Sequence, residues 1–242
     1  MDSKQRDVLL KGAGELGVIL NDDQLDQFAQ YAVLLEEWNQ RINLTRISPE
    51  DVVSLHFLDS LSAASAVNFK AGGRLIDVGT GAGFPGIPLK IAYPNLDVTL
   101  LDSTLKKLHF LDAVIDALSL SGISCVHSRA EDASHMPEHR ERYDFAAARA
   151  VAPMDALAEW ILPFVRKGGK AFAYKSHSAE QEILSAQQII TMLGGIDLSI
   201  HRLNIPGTEM VRIIVSITAY GDVPRQYPRS WGILKQQRKT NK

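Results

Sequence analysis

The chain has 242 residues, 45% apolar and 22% charged, which suits one globular domain or slightly more and excludes a disordered, collagen-like or coiled-coil protein. It holds no run of about 18 uncharged apolar residues that would cross a membrane, and the charged start Met1-Asp2-Ser3-Lys4 lacks a signal-peptide core, so a cytoplasmic location is expected. Its one cysteine, Cys125, allows no intrachain disulfide and no cysteine metal site, and the net charge of −2 hides a basic end: residues 221–242 carry six Lys/Arg against one acid, while the rest carries 20 against 27.

Residues 1–70 read as helical. Asn21-Asp22 offers an N-cap before an apolar stripe of Leu25, Phe28, Ala32, Leu35 and Ile42, with Trp38 beside it. Ser48-Pro49-Glu50-Asp51 supplies a cap, an early proline and first-turn acids, which predicts a second helix running to about Val67. After Gly72-Gly73 the pattern changes to alternating strands and helices. Strands are expected at 74–78, 96–101, 123–127, 143–148 and 170–175, with helices at 84–93, 104–120, 153–165 and 179–193 between and after them. That alternation implies a parallel sheet covered on both faces. Two further strands, 197–203 and 210–219, are separated only by a turn at Pro206-Gly207-Thr208, too short for a crossover helix, so they are expected to form an antiparallel hairpin.

The strongest local signal is Ile76-Asp77-Val78-Gly79-Thr80-Gly81-Ala82-Gly83-Phe84-Pro85-Gly86, between the first strand and its helix. Gly81-x-Gly83-x-x-Gly86 satisfies the dinucleotide fingerprint, in which pyrophosphate sits on the helix end. The acid Asp77 just before the glycines instead suits a cationic ligand such as the ammonium and sulfonium of S-adenosylmethionine, whose carboxylate could use the loop N–H groups. Asp102, ending the second strand, can hold a ribose in either cofactor class, or cap the helix that follows. An NAD-linked oxidoreductase is therefore one alternative at this point.

Together the glycine loop, Trp38-Asn39, Asn43-Leu44-Thr45, His56-Phe57-Leu58-Asp59-Ser60, Leu100-Leu101-Asp102-Ser103 and Ala148-Arg149-Ala150-Val151 resemble one family, from about residue 16 to residue 229. It is the bacterial small-subunit ribosomal RNA guanine-N7 methyltransferase G family, also called glucose-inhibited division protein B. The resemblance implies a class I S-adenosylmethionine-dependent methyltransferase fold: Rossmann-like α/β, with a mostly parallel seven-stranded sheet ending in an antiparallel hairpin and an α-helical N-terminal extension. It implies a helical extension over 1–70, a methyltransferase domain over 71–220 and a basic tail over 221–242. The cofactor would be S-adenosylmethionine and the partner 16S rRNA in a structured particle, without metal or membrane. Carried over by motif, Gly79, Phe84, Asp102, Ser103, Thr104, Ala130, Glu131 and Arg149 would hold the cofactor, joined by Asp77, Gly81 and Gly83 of the loop. Glu131 beside a free N–H would match the adenine edge. A non-catalytic RNA-binding or ribosome-assembly protein on the same fold is a further alternative.

His56 and Asp59 lie at i and i+3 and share a helix face, either over the mouth of the cofactor cleft or as an ordinary surface pair. Arg149 and Lys175 end the fourth and fifth strands, where open α/β sheets place their ligands. Guanine N7 can accept a methyl without losing a proton. The catalytic set is accordingly read as Asp59 gripping the guanine N–H groups, Arg149 or Lys175 as the cation near O6 or a phosphate, and His56 as an orienting residue. Arg225, Arg229 and the remaining tail cations (Lys235, Arg238, Lys239, Lys242) would add phosphate contacts; a solvated terminus is the other reading. Cys125, inside the third strand, is expected in the core rather than as a nucleophile.

Overall fold

The computed structural model describes residues 1–149, 152–230 and 232–233; Ala150, Val151, Lys235, Arg238, Lys239 and Lys242 lie outside the described residues. Helices α1 (Ser3–Glu15) and α2 (Asp22–Asn39) each open on a reciprocal capping box, Asp2 with Gln5 and Asn21 with Gln24. Leu25, Phe28, Tyr31 and Leu35 form the buried stripe of α2, and Ile42 falls beyond its end.

The single helix expected from residue 49 to 67 is broken. A turn at 49–51 leads into a π-helical segment, Val53–Leu58, then α3 (Asp59–Leu61), then a 3₁₀ turn, Ser62–Ser65. The cause is hydroxyl competition for carbonyls: Ser60 Oγ donates to His56 O at 2.6 Å, Ser62 Oγ to Asp59 O at 2.6 Å and Ser65 Oγ to Ser62 O at 2.8 Å.

The sheet contains β1 (Gly73–Val78), β2 (Leu96–Asp102), β3 (Ile123–His127), β4 (Tyr143–Arg149), β5 (Val165–Ser176), β6 (Gly195–Asn204) and β7 (Val211–Ala219), ordered β3-β2-β1-β4-β5-β7-β6. β1 to β5 are parallel, and β7 runs antiparallel to both neighbours, so the terminal hairpin is present. Its direction matters: the start of β7 lies beside the end of β5, with Arg212 opposite Ser176, at the edge where the parallel strands finish.

Helices α4 (Gly86–Ala92), α5 (Leu105–Ala117), α6 (Ala130–Ala133), α7 (Met154–Ile161), α8 (Glu180–Ser185) and α9 (Gln187–Met192) complete the layers. The expected 179–193 helix is split at Ala186, where Ser185 Oγ bonds back to Gln181 O at 2.7 Å. One sheet face (Leu75, Val98, Leu100, Phe172) shares a continuous core with Leu9 of α1 and Phe28 and Tyr31 of α2. The other face packs Ile76, Val78 and Ala146 against α7 to α9. The N-terminal helices are thus built into the sheet's own core.

The first part of the tail is docked. Arg140 donates to the carbonyls of Val223 at 2.9 Å and Tyr227 at 3.1 Å. Arg229 pairs with Glu159, whose side chain is 1% exposed, and its guanidinium lies over the Tyr227 ring. This corrects the expectation for Arg229: a guanidinium spent on a buried carboxylate anchors the tail instead of reaching for phosphate. Arg225 stays exposed.

Candidate active site

A cavity of about 450 Å³ opens where β1, β2, β3 and β4 end, at the crevice such sheets use for ligands. Gly79, Asp102, Ser103, Thr104, Ala130, Glu131 and Arg149 line it, along with Lys107, Arg129 and Trp160. Asp102 is 6% exposed, more enclosed than a solvent-facing strand end. Its Oδ2 accepts from Gly81 N at 3.0 Å and its Oδ1 from Thr104 N at 2.8 Å. It therefore ties the glycine loop to the start of α5 while standing on the cavity wall, so capping and ligand-facing roles coexist.

Other loop residues sit differently from expectation. Asp77 is fully buried and absent from the cavity wall. Its Oδ2 accepts from Thr80 Oγ1 at 2.7 Å and Gly86 N at 2.8 Å, and burial pushes its carboxyl up to about 6 despite those bonds. Gly83 N and Phe84 N both bond Thr80 O, and Gly79 N and Thr80 N both bond Leu101 O. These four amides are satisfied by Thr80 O in the loop and Leu101 O of β2, so they are not free to cradle a pyrophosphate or a ligand carboxylate. Gly83 serves packing: at φ +95°, a Cβ would meet Tyr31 Oη at 2.6 Å and Ile87 Cδ1 at 2.7 Å. Gly81, at φ +64°, faces open space, where a Cβ would find only Gly79 O at 3.9 Å. Phe84 is 4% exposed and also off the cavity wall. It lies between His56, stacked at 4.2 Å and 9°, and Tyr31 at 5.4 Å, with the Arg149 guanidinium 4.8 Å above its ring.

Arg149 joins the cavity to a second cluster. It donates to Asp59 Oδ2 at 2.8 Å and to His56 Nδ1 at 3.0 Å. Arg212 closes on the same carboxylate from the other side, Nε to Oδ1 at 2.6 Å and Nη2 to Oδ2 at 3.0 Å. Since a guanidinium only donates, His56 Nδ1 carries the lone pair and Nε2–H donates to Thr45 Oγ1 at 2.7 Å. Burial, with the Arg149 charge, pushes His56 down to about 3, so the ring is neutral and a poor proton acceptor. The helix face that His56 and Asp59 share is buried at 8% and 1% exposure, which rules out a surface pair.

This alters the part assigned to Asp59. Both its oxygens are held by arginines and sealed from solvent, so it cannot grip guanine directly; it fixes two cations instead. Lys175 is likewise engaged, with Ala152 O at 2.8 Å and Glu182 at 2.6 Å, and lies off the cavity wall. Sequence reasoning missed Arg212, Thr45 and Tyr174, whose Oη donates to Ser60 O at 2.5 Å. Arg212 carried a signal: a charged residue opening the apolar run Ile213-Ile214-Val215, on a strand already expected to be antiparallel. Cys125 is half-buried rather than in the deep core, and burial pushes its thiol up to about 12, which leaves it inert. Among the described residues, no three of His, Cys, Asp and Glu converge on a metal position, and no helix is long and apolar enough to cross a membrane.

A parallel sheet closed by an antiparallel strand, with an acid-tipped second strand on a nucleoside-sized cavity, defines a class I methyltransferase fold. Solved structures of that fold are similar to it: a predicted O-methyltransferase from Agrobacterium tumefaciens (TM-score 0.51, 19% identity, 67% of this chain and 78% of that one) and the fibrillarin pre-rRNA processing protein of Methanococcus jannaschii (TM-score 0.51, 14% identity, 64% and 70%). The family model for rRNA small subunit methyltransferase G matches residues 24–211. The chain is 44% identical to the ribosomal RNA small subunit methyltransferase G of Lachnoclostridium phytofermentans, over 95% of each chain, and 44% identical to that of Acetivibrio thermocellus, over 96% of this chain and 97% of the relative. The chain belongs to the rRNA small subunit methyltransferase G family.

Proposed function

We propose that the protein binds S-adenosylmethionine in the cavity beside Asp102 and methylates N7 of a guanine in 16S rRNA within a structured cytoplasmic small-subunit particle. The observation that carries this reading is the junction at Arg149, one side chain that both lines the nucleoside cavity and is held by the buried Asp59–Arg212–His56 cluster. The cavity fits the cofactor: its volume suits a nucleoside ligand, Gly79 on its wall lets a ligand approach the backbone closely, and Asp102 offers the acceptor a ribose needs. Asp102, Ser103 and Thr104 would take the ribose side, Ala130 and Glu131 the adenine edge.

When bound, S-adenosylmethionine supplies an electrophilic methyl, and positive charge passes from sulfur to the purine as the S–C bond breaks and the N7–C bond forms. Guanine N7 already presents a lone pair and no proton, so no general base is needed, and His56 at about 3 offers none. The work of the chain is placement. Asp59 neutralises one of two buried guanidinium charges, leaving the cluster net positive. That charge favours guanine O6 or a flanking phosphate at Arg149.

Calorimetry with S-adenosylmethionine and NAD, followed by tritiated methyl transfer to unmodified small subunits, tests the reading. Binding of the first ligand alone and one methyl transferred per RNA is the expected result. NAD binding would restore the oxidoreductase, and cofactor binding without transfer would restore the non-catalytic reading.

A further inference from the structure

The loop over residues 40–47 is short, irregular and tightly pinned. Asn39, at the end of α2, accepts from Leu44 N at 2.8 Å and Thr45 N at 3.0 Å and donates to Thr45 O at 3.0 Å. Thr45 Oγ1 in turn accepts from Ile47 N at 3.0 Å and from His56. Three side chains in series, Thr45, His56 and Arg149, therefore fix this loop relative to the cofactor cavity.

The loop carries Arg41 and Arg46, both exposed. Elsewhere Arg74, Arg166, Arg202 and Arg229 each hold a carboxylate. Among the described residues, Arg41 and Arg46 hold none; Arg129 and Arg225 hold none either, but Arg41 and Arg46 are the pair on the loop pinned through Thr45. The nearby acids Glu36 and Glu50 line a cavity on one side of the loop, with Asn39, Thr45 and Ile47, whose lining includes neither arginine. Two guanidinium groups without a carboxylate partner on a rigid loop, Arg46 one position and Arg41 four positions from Thr45, which touches the active cluster, form a preorganised site for phosphate oxygens.

Resting on the proposed function, we infer that Arg41 and Arg46 contact the backbone phosphates of the RNA flanking the target base, and that the pinned loop sets the distance between those phosphates and Arg149. The partner is RNA by chemistry: the loop is tied through Thr45 and His56 to Arg149 on the cavity wall, and planar guanidinium forks match phosphate oxygens. Contacts of this kind position without reading sequence.

The test compares the full-length chain with Arg41→Glu/Arg46→Glu, with the milder Arg41→Ala/Arg46→Ala pair, and with Lys11→Glu/Lys70→Glu, which makes the same charge change at exposed positions elsewhere. Filter binding to labelled 16S rRNA is read across a salt series, with S-adenosylmethionine calorimetry as the check on folding. The expected result is at least a tenfold affinity loss for the glutamate pair and a salt dependence shallower by roughly 1–2 log units per log unit of salt. The alanine pair should move the same way, the lysine control should keep its slope, and cofactor affinity should be unchanged throughout. Unchanged RNA affinity and slope in both arginine pairs, or an equal loss in the lysine control, overturns the assignment. The slopes are readable whichever base is methylated, so a failed acceptor assignment and a failed loop assignment give different results.

Discussion

Asp59 and Arg212, 153 positions apart, meet in a two-pronged ion pair at 2.6 and 3.0 Å that joins the irregular helix of the N-terminal region to the antiparallel strand of the sheet. Arg149 shares the same carboxylate at 2.8 Å. The cluster is therefore assembled from three distant segments by one buried acid, and the position of Arg149 on the cavity wall depends on it.

Removing that acid strands two guanidinium groups. Breaking a buried pair from one side costs about 3–5 kcal/mol, so Asp59→Ala should lower the melting temperature by roughly 6–20 °C. Scanning calorimetry reads this directly. A loss below about 1 kcal/mol would show that the arginines find other partners and that the cluster does not hold the segments together.

Two glycines of the same loop should fail differently. Gly83→Ala places a methyl 2.6 Å from Tyr31 Oη at a φ of +95°, so the fold should lose about 1–3 kcal/mol or more. Gly81→Val meets only backbone strain at φ +64°, about 1–2 kcal/mol, but fills open space next to Gly79, which is on the cavity wall. It should keep its circular dichroism and lose cofactor affinity at least tenfold. Normal cofactor binding by Gly81→Val would move the cofactor away from this loop.

The sheet and its hairpin were legible because each rests on a local pattern: apolar strand runs, the Pro206-Gly207 turn, the glycine loop between β1 and α4. The place of Asp102, Thr104 and Glu131 on the cavity wall was legible because strand ends are where such sheets open their crevices. The state of the side chains was not. Nothing local in His56 or Asp59 tells that Arg212, arriving from β7, will consume the Asp59 oxygens, or that Phe84 will turn from the cavity to stack on His56. The broken helix escaped for a related reason: serine-to-carbonyl bonding at Ser60 and Ser62 opposes the regular pattern that the apolar spacing supports. Arg229 looked like an RNA contact because charge counting does not see a buried Glu159.

The pH behaviour separates structure from chemistry. His56 is lowered from 6.5 to about 3, so between those values the unfolded chain takes up a proton that the folded one refuses. Its stabilising contribution is full above 6.5 and is lost as pH falls. Asp77 is raised from 3.8 to about 6, so its contribution is present below 3.8 and is lost as pH rises toward 6. The two oppose each other in the shared window. His56→Gln should therefore gain stability relative to the wild type between about pH 7 and pH 4 in urea titrations. The single-turnover methyl-transfer rate of the wild type should stay flat from about pH 7 to 9. A tenfold rate rise per pH unit, abolished in His56→Gln, would make His56 a base and contradict the placement mechanism.

The docked tail gives its own test. Arg229→Ala leaves the Glu159 carboxylate, 1% exposed, without its principal cation, and should cost about 3–5 kcal/mol of stability. Its RNA-binding salt slope should match the wild type. A stable variant with a shallower slope would return Arg229 to the RNA interface.

The most direct measurement is the chemical identity of the methylated base. Unmodified small subunits, methylated with the purified protein and S-adenosylmethionine, are mapped by mass, and the modified RNA is treated with borohydride and aniline. The account predicts one added methyl on one guanine, an imidazolium ring that opens in alkali, and strand cleavage at that nucleotide after reduction, as N7-methylguanosine gives. A methyl that survives this treatment as N1- or N2-methylguanine would contradict it, because those positions require loss of a proton, for which the account assigns no base and His56, pushed down to about 3, is a poor acceptor.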